Sequence, residues 1–561
     1  MEWMNRSMRL HDVRKALTDP ESDALSAPGD YAAGEDYRGA YIPTRFFIKL
    51  APRIHELVDA ITRRDTDSYD ADELISAYST YLHETIHWWQ FVGSTAGLIM
   101  SLCYPAQCTA NIEALRAVIQ KHGPKKSLKA WAQETLIAGG PAVDAELGDA
   151  NKAVNNAIDI NFYRTFATFP IRAPEIFEDP YFECVGHSYT VAYINTIHAL
   201  IISCDFAAGS LPDPDEWEKH AEALRAAEHE GFYHGSPIRR ARVGLCDIFE
   251  GQARFSQLQF LCGMSGPAEC AYYRDEGYFE GCYGAAFDHF LELTGFTWPD
   301  RIDDPLVALF LLVCDLAINP TRGFPLPIIS PKDLIVDIDP GARFTHLCEA
   351  AKHDPGLAGA IQRRSREEYI AVAEALTQSC GYDHPMLALK TIVDLIDNDV
   401  GAGTLMQEWE TFRFSGFNQP IRVIASHFLA FCRDKFEHPE FFCWPGVYCA
   451  AEGKTQAYEE IFLRHLTLYS DSEYEGRVFP RQLPGREQAA VQETLNIFFT
   501  TLLLYDLTVQ WILNGGPFRY DYSWLTGTYK NDALVTYAKT MFERNFGAHP
   551  DAFEGETGAP P

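Results

Sequence analysis

Positive charge is scarce in this chain. Its 561 residues carry 47 Lys and Arg against 78 Asp and Glu, a net charge of -31. So acidic a surface repels a phosphate backbone, so no nucleic-acid partner is expected. The acidity serves solubility and says little about substrate. Paired cysteines are lacking as well: fourteen cysteines are scattered without a CxxC. The N-terminal stretch MEWMNRSMRLHDVRKALTDP has no apolar core of the kind that directs export. Together these read as reduced, mostly buried thiols in a cytoplasmic protein. Cys443 and Cys449 in CWPGVYC come nearest to a ligand pair, but no partner cluster accompanies them. Uninterrupted apolar runs are missing too. The most apolar stretch, LNIFFTTLLLYDLTVQWIL from Leu495 to Leu513, is broken by Asp506 and Gln510. It reads as a buried core helix, and no membrane contact is expected. Repeats of solenoid length are absent.

Strand-like runs are few. AYIPTRFFIKL (Ala40 to Leu50) can hold a short strand, and DLIVDID (Asp333 to Asp339) is the clearest. Helical patterns cover APRIHELVDAITRR, then one long helix through DSYDADELISAYSTYLHETIHWWQFVGSTAGLIMSL, with Asp70 as N-cap and Glu73 completing a capping box. His122 to Asp149 is turn-rich and reads as a surface insertion. Further helices are expected at Asn151–Phe166, His187–Ala208, Glu216–Glu230 and Gly244–Cys262. The fold class is therefore mainly α with a few short strands. The length suggests more than one packed region. We divide the chain into a loop-rich segment 1–38, a catalytic region 39–320, a helical C-terminal region 321–545 and a disordered tail 546–561. The proline-rich NPTRGFPLPIISP links the two middle regions.

The long helix carries YLHETIHWWQ, with two histidines four apart. On a helical wheel His83 and His87 share a sector, and Glu84 is turned aside. Ser76, Thr80, Gln90 and Ser94 fall in or beside that polar sector. Leu74, Ile75, Tyr78, Leu82, Ile86, Trp89 and Ala96 form an apolar back. Trp88 and Trp89 read as packing anchors. Histidines at i and i+4 can aim two imidazole nitrogens at one metal ion, while Glu84 faces a water beside it and takes its proton. Zn2+ suits such a set.

A third protein ligand is needed. GLCDIFEGQARFSQLQF (Gly244 to Phe260) places Asp247, Glu250, Gly251 and Arg254 on one helix face. Glu250 is the expected ligand, and Gly251 beside it lets another backbone approach. Asp247 is the candidate to orient a ligand histidine. Arg254 is the candidate to hold Glu250 or stabilise an oxyanion. A second Phe-Glu-Gly makes Glu280 a rival ligand, though its segment RDEGYFEGCYGAAF carries Gly277, Gly281 and Gly284. His187, Tyr233, His234, Tyr272 and Tyr273 are further oxyanion candidates by chemistry.

On these residues the sequence resembles the gluzincin class of zinc metallopeptidases. HETIH matches their HExxH helix, and FEGQAR (Phe249 to Arg254) is similar to the Glu-Gly-x-Ala segment that supplies their glutamate ligand. The resemblance implies a zincin-like catalytic region, with His83, His87 and Glu250 as zinc ligands and Glu84 as general base. It covers two helices, and the second comes far later in the chain than is usual in the class. The expected activity is that of a zinc-dependent metallopeptidase acting on a peptide or protein, with a water activated by Glu84 attacking the peptide bond. Two alternatives accompany it: a non-haem Fe(II) peptide hydroxylase, since two histidines and a carboxylate also hold iron, and a non-enzymatic interaction protein with a structural metal site.

Overall fold

In the computed structural model, residues 33–36, 39–43, 45–143, 145–416, 418–450, 455–471, 478–481, 483–526 and 531–553 are described. Strands β1 (Ala33–Asp36), β2 (Gly39–Ile42) and β3 (Phe47–Leu50) come first and pair antiparallel in that order. The strand expected within AYIPTRFFIKL is thus two strands of a turn-linked pair. β4 (Tyr469–Asp471) then joins β3 in parallel, Phe47 opposite Tyr469, and β5 (Val478–Pro480) closes the sheet. A parallel pair needs a crossover; here it is the chain from β3 to β4, so the sheet joins segments more than 400 residues apart in sequence.

Among the described residues helices take 69% and strands 3%, so the fold is mainly α. The helices that build the centre are α1 (Pro52–Arg63), α2 (Ala71–Gly93), α3 (Thr95–Thr109), α4 (Gly148–Thr168), α5 (Val185–Cys204), α6 (Leu245–Gly263), α7 (Cys282–Thr294), α8 (Pro305–Ile318), α9 (Gln419–Glu437) and α10 (Gln488–Leu513). Asp70 caps α2, accepting from the backbone N–H of Asp72 at 2.9 Å and of Glu73 at 3.2 Å. The Glu73 carboxylate turns to Arg53 of α1 instead, 2.6 Å away, so the expected capping box is half formed.

Three expectations need correction. The long helix is two helices, because Ser94 breaks it. Its Oγ donates to Gln90 O at 2.6 Å and accepts from Gly97 N at 3.0 Å, ending α2 and capping α3. The insertion around 122–149 contains a helix, Leu128–Gly139, capped by Ser127 Oγ. Only Leu128 and Ala132 of it are buried, too little apolar periodicity to read. DLIVDID is a short helix, Leu334–Ile338, not a strand. Leu334, Asp337 and Ile338 are buried while Val336 is exposed, a spacing of three and four where a strand would alternate. The N-terminal segment before Ala33 and the tail after Phe553 lie outside the described residues.

One hydrophobic cluster runs through both middle regions. Trp89 of α2 donates its indole N–H to His465 O at 2.9 Å, and Lys435 of α9 donates to Gly93 O at 2.7 Å. Gly93 has no Cβ because the ring of Phe431 on α9 sits 2.7 Å from where one would be. α10 passes a length and composition test for a membrane span, yet 67% of its apolar window is buried against the rest of the protein. Trp511 there packs on Phe542 and Phe546 of the helix Asp532–Phe546, ring centroids 5.6 and 5.2 Å apart.

Candidate metal centre

α2 is buried on all sides from Ser79 to Gly93, polar face included. A buried polar face needs a polar partner, and α6 is that partner. Gln257 Nε2 donates to Ser79 Oγ at 3.2 Å, and Gln90 Nε2 donates to Phe249 O and Gln252 Oε1, both at 2.9 Å. These rungs run in opposite order along the two helices, so α2 and α6 lie antiparallel. Between them His83, His87 and Glu250 converge.

His83 Nε2 and His87 Nε2 are 3.0 Å apart, and each is 3.4 Å from Glu250 Oε2. Ligand atoms about 2.0–2.1 Å from one ion lie about 2.9 Å apart at octahedral angles and about 3.4 Å apart at tetrahedral ones. The three atoms therefore have the separations that one ion would set. Their burial argues the same way. Glu250 is 0% exposed, and neither of its carboxylate oxygens has a hydrogen-bond partner among the described residues. A buried carboxylate left so costs several kcal/mol, on the order of an uncompensated ion; a cation removes that cost. Burial pushes its carboxyl up, and the imidazoles of His87 and His83 pull it below the usual carboxylate range only while they carry protons on the nitrogens that face it. For His83, burial dominates and pushes the imidazole down to about 4, with His87 and Arg254 acting the same way against Glu250. At neutral pH His83 is a neutral imidazole with a lone pair to offer.

Gln90 decides the proton on His87. Its amide donors are spent on Phe249 O and Gln252, so its oxygen faces His87 Nδ1, 2.7 Å away. An amide oxygen only accepts, so Nδ1 carries the hydrogen and Nε2 keeps the lone pair that points at Glu250. This is the arrangement by which a ligating histidine is oriented from behind. His83 has no such support among the described residues, where its buried Nδ1 finds no partner.

The structure brings together His83, His87 and Glu250, the only such group found among the described residues. Glu84 is buried beside them at 3% exposure but stands outside that group. Its Cγ lies under β2, 3.1 Å from the place a Cβ on Gly39 would take. Glu280 is half-buried in the turn before α7 and is not a member of that group. Asp247 does not orient a histidine; its carboxylate accepts from Gly244 N at 3.1 Å and caps α6. Arg254 does not hold Glu250; its Nη1 donates to Gln257 Oε1 at 2.7 Å. His187 is engaged by Asp159 at 3.3 Å, and Tyr273 donates to Pro267 O. Sequence reasoning missed the role of Gln90, although the wheel placed it in the polar sector, and missed Gln252 and Tyr283 altogether. The Tyr283 ring stands 6.0 Å from that of His83. It belongs to the segment that was read for Glu280, and no local spacing marks it. What approaches Gly251 is not the backbone expected there but side chains: Ala286 of α7 and Phe310 of α8 lie 3.4 and 3.3 Å from where its Cβ would be, and the nearest backbone atom, Tyr283 O, lies at 3.8 Å.

No protein-family model, curated protein or solved structure matches the chain. The functional reading therefore rests on these side chains.

Proposed function

We propose that the chain is a zinc-dependent metallopeptidase with a zincin-like centre, in which His83, His87 and Glu250 are the metal ligands and Glu84 is the general base. One observation carries the reading: two imidazole nitrogens and an otherwise unpartnered buried carboxylate converge at 3.0–3.4 Å from two antiparallel helices. A zinc ion held there supplies a Lewis acid that polarises a peptide carbonyl and makes water a stronger acid. Glu84 takes the proton from the attacking water and passes it to the leaving amine. Gln90 keeps His87 in the tautomer that ligates. The close packing around the centre fixes both helices and keeps the proton transfers away from bulk water.

The test is a peptide mixture incubated with the zinc-loaded protein and followed by mass spectrometry. Cleavage should appear as fragment pairs that differ from the parent by one water. Glu84→Gln should keep its metal and slow cleavage by about a hundred- to ten-thousand-fold. Uptake of an oxygen atom that depends on O2 and iron, with no cleavage, would overturn the proposal.

A further inference from the structure

Arg254 lies one helical turn beyond Glu250 on the same side of α6 and is 5% exposed. A buried guanidinium loses its hydration and needs acids or hydrogen bonds in return. Among the described residues Arg254 makes one hydrogen bond, from Nη1 to the neutral amide of Gln257, and no ion pair with an acid. That amide is fixed in turn by its bond to Ser79. The guanidinium carbon stacks 3.9 Å from the centroid of Tyr283 and lies 5.5 Å from that of Tyr278. Nε is buried and has no partner among the described residues. Tyr283 touches both groups, since its ring also stands against His83. A permanent cation is thus held rigidly beside the metal ligands, with the edge formed by Nε and Nη2 unspent. That edge carries the two parallel donors that match a planar carboxylate.

We infer that Arg254 recognises a carboxylate on the substrate, so that the preferred peptide carries either a free C-terminus or an acidic side chain next to the bond that is cut. This rests on the peptidase reading for the substrate class, while the carboxylate site itself stands on Arg254. The chain as a whole repels anions at its net charge of -31. A buried cation at the centre is what would let an acidic peptide compete there.

The experiment measures binding of three probes to the metal-free protein, where no hydrolysis interferes. They are N-acetyl-dialanine as the free acid, the same peptide as its amide, and N-acetyl-alanyl-glutamate amide. One of the two acids should bind at least about tenfold tighter than the neutral amide, as a charge-assisted hydrogen bond provides. Which acid does so tells a chain end from a side chain. Arg254→Gln should abolish the preference, and Arg254→Lys, which keeps the charge but not the fork, should retain part of it. Equal binding of acids and amide by the unaltered protein, or no binding of any probe, overturns the inference. So does a preference that survives in a folded Arg254→Gln protein. Metal content is measured in parallel. A protein that prefers the acid but takes up no zinc contradicts the peptidase reading and leaves the carboxylate site standing.

Discussion

Gln90 shows what a single residue does for this centre. It sits three residues beyond His87 on the same helix, and its oxygen accepts the Nδ1 hydrogen at 2.7 Å. Gln90→Ala leaves that buried N–H unanswered and frees the ring to rotate. Metal affinity should fall about tenfold to a hundredfold, the usual effect of removing such a support. Competition against a chromophoric chelator measures it, and unchanged affinity would show that Gln90 has no part in ligation. The proposed ligand residues were legible as candidates, because HExxH on a helix and Glu250 beside a glycine each carry a local pattern. Gln90 was legible as a position and not as a role, since its partners on α6 are 159 and 162 residues away in sequence. A second buried imidazole gives a prediction in pH. His427 of α9 is packed against Trp88 and Trp409, and burial pushes it from 6.5 down to about 3. The unfolded chain binds a proton on this imidazole below about pH 6.5 that the folded chain refuses down to about pH 3. Stability from this group is complete above the upper value and falls on acidification across the window, by up to about 1.4 kcal/mol per pH unit. His427→Phe cannot take up the proton, so its loss of Tm between pH 7.5 and pH 5, on the order of a few degrees, should be smaller than that of the parent. Identical pH dependence of the two proteins would contradict this.

Among the elements, the junction of α2 and α3 governs how the centre is held. The hydrophobic pattern continues straight through Gly93 and Ser94, so the sequence reads as one helix. The break is made by a serine hydroxyl and by a close backbone approach, and neither changes the periodicity. A Cβ on Gly97 would stand 1.9 Å from Gln90 O, a backbone atom that cannot give way. Gly97→Ala should therefore cost at least about 1–3 kcal/mol and also displace Gln90 from His87. Gly251→Ala meets side chains at 3.3–3.4 Å and should cost less than about 1.5 kcal/mol. Urea unfolding of both variants compares them, and equal stability would refute the junction argument. The strand expected at Leu334–Ile338 is a helix for a related reason. Its run of β-branched residues favours a strand on composition, but the burial of Leu334, Asp337 and Ile338 follows helical spacing, which only the packing reveals.

On the scale of the whole molecule, the mainly α class was legible from the helical patterns that fill the chain. The way α9 and the segment around His465 close over the back of α2 was not, because no local rule says which distant helices meet. That closure explains why Trp88 and Trp89 follow the second histidine: both are buried against α9 and its neighbours. It leaves His83, His87 and Glu250 at the middle of a continuous core, with separations suited to one ion. The most direct measurement of that claim is elemental analysis of the purified protein beside its His83→Ala/His87→Ala variant. The account predicts about one zinc per chain in the parent and almost none in the variant, because a single carboxylate holds the ion poorly. A parent that takes up no stoichiometric metal, or a variant that keeps it, would contradict the account.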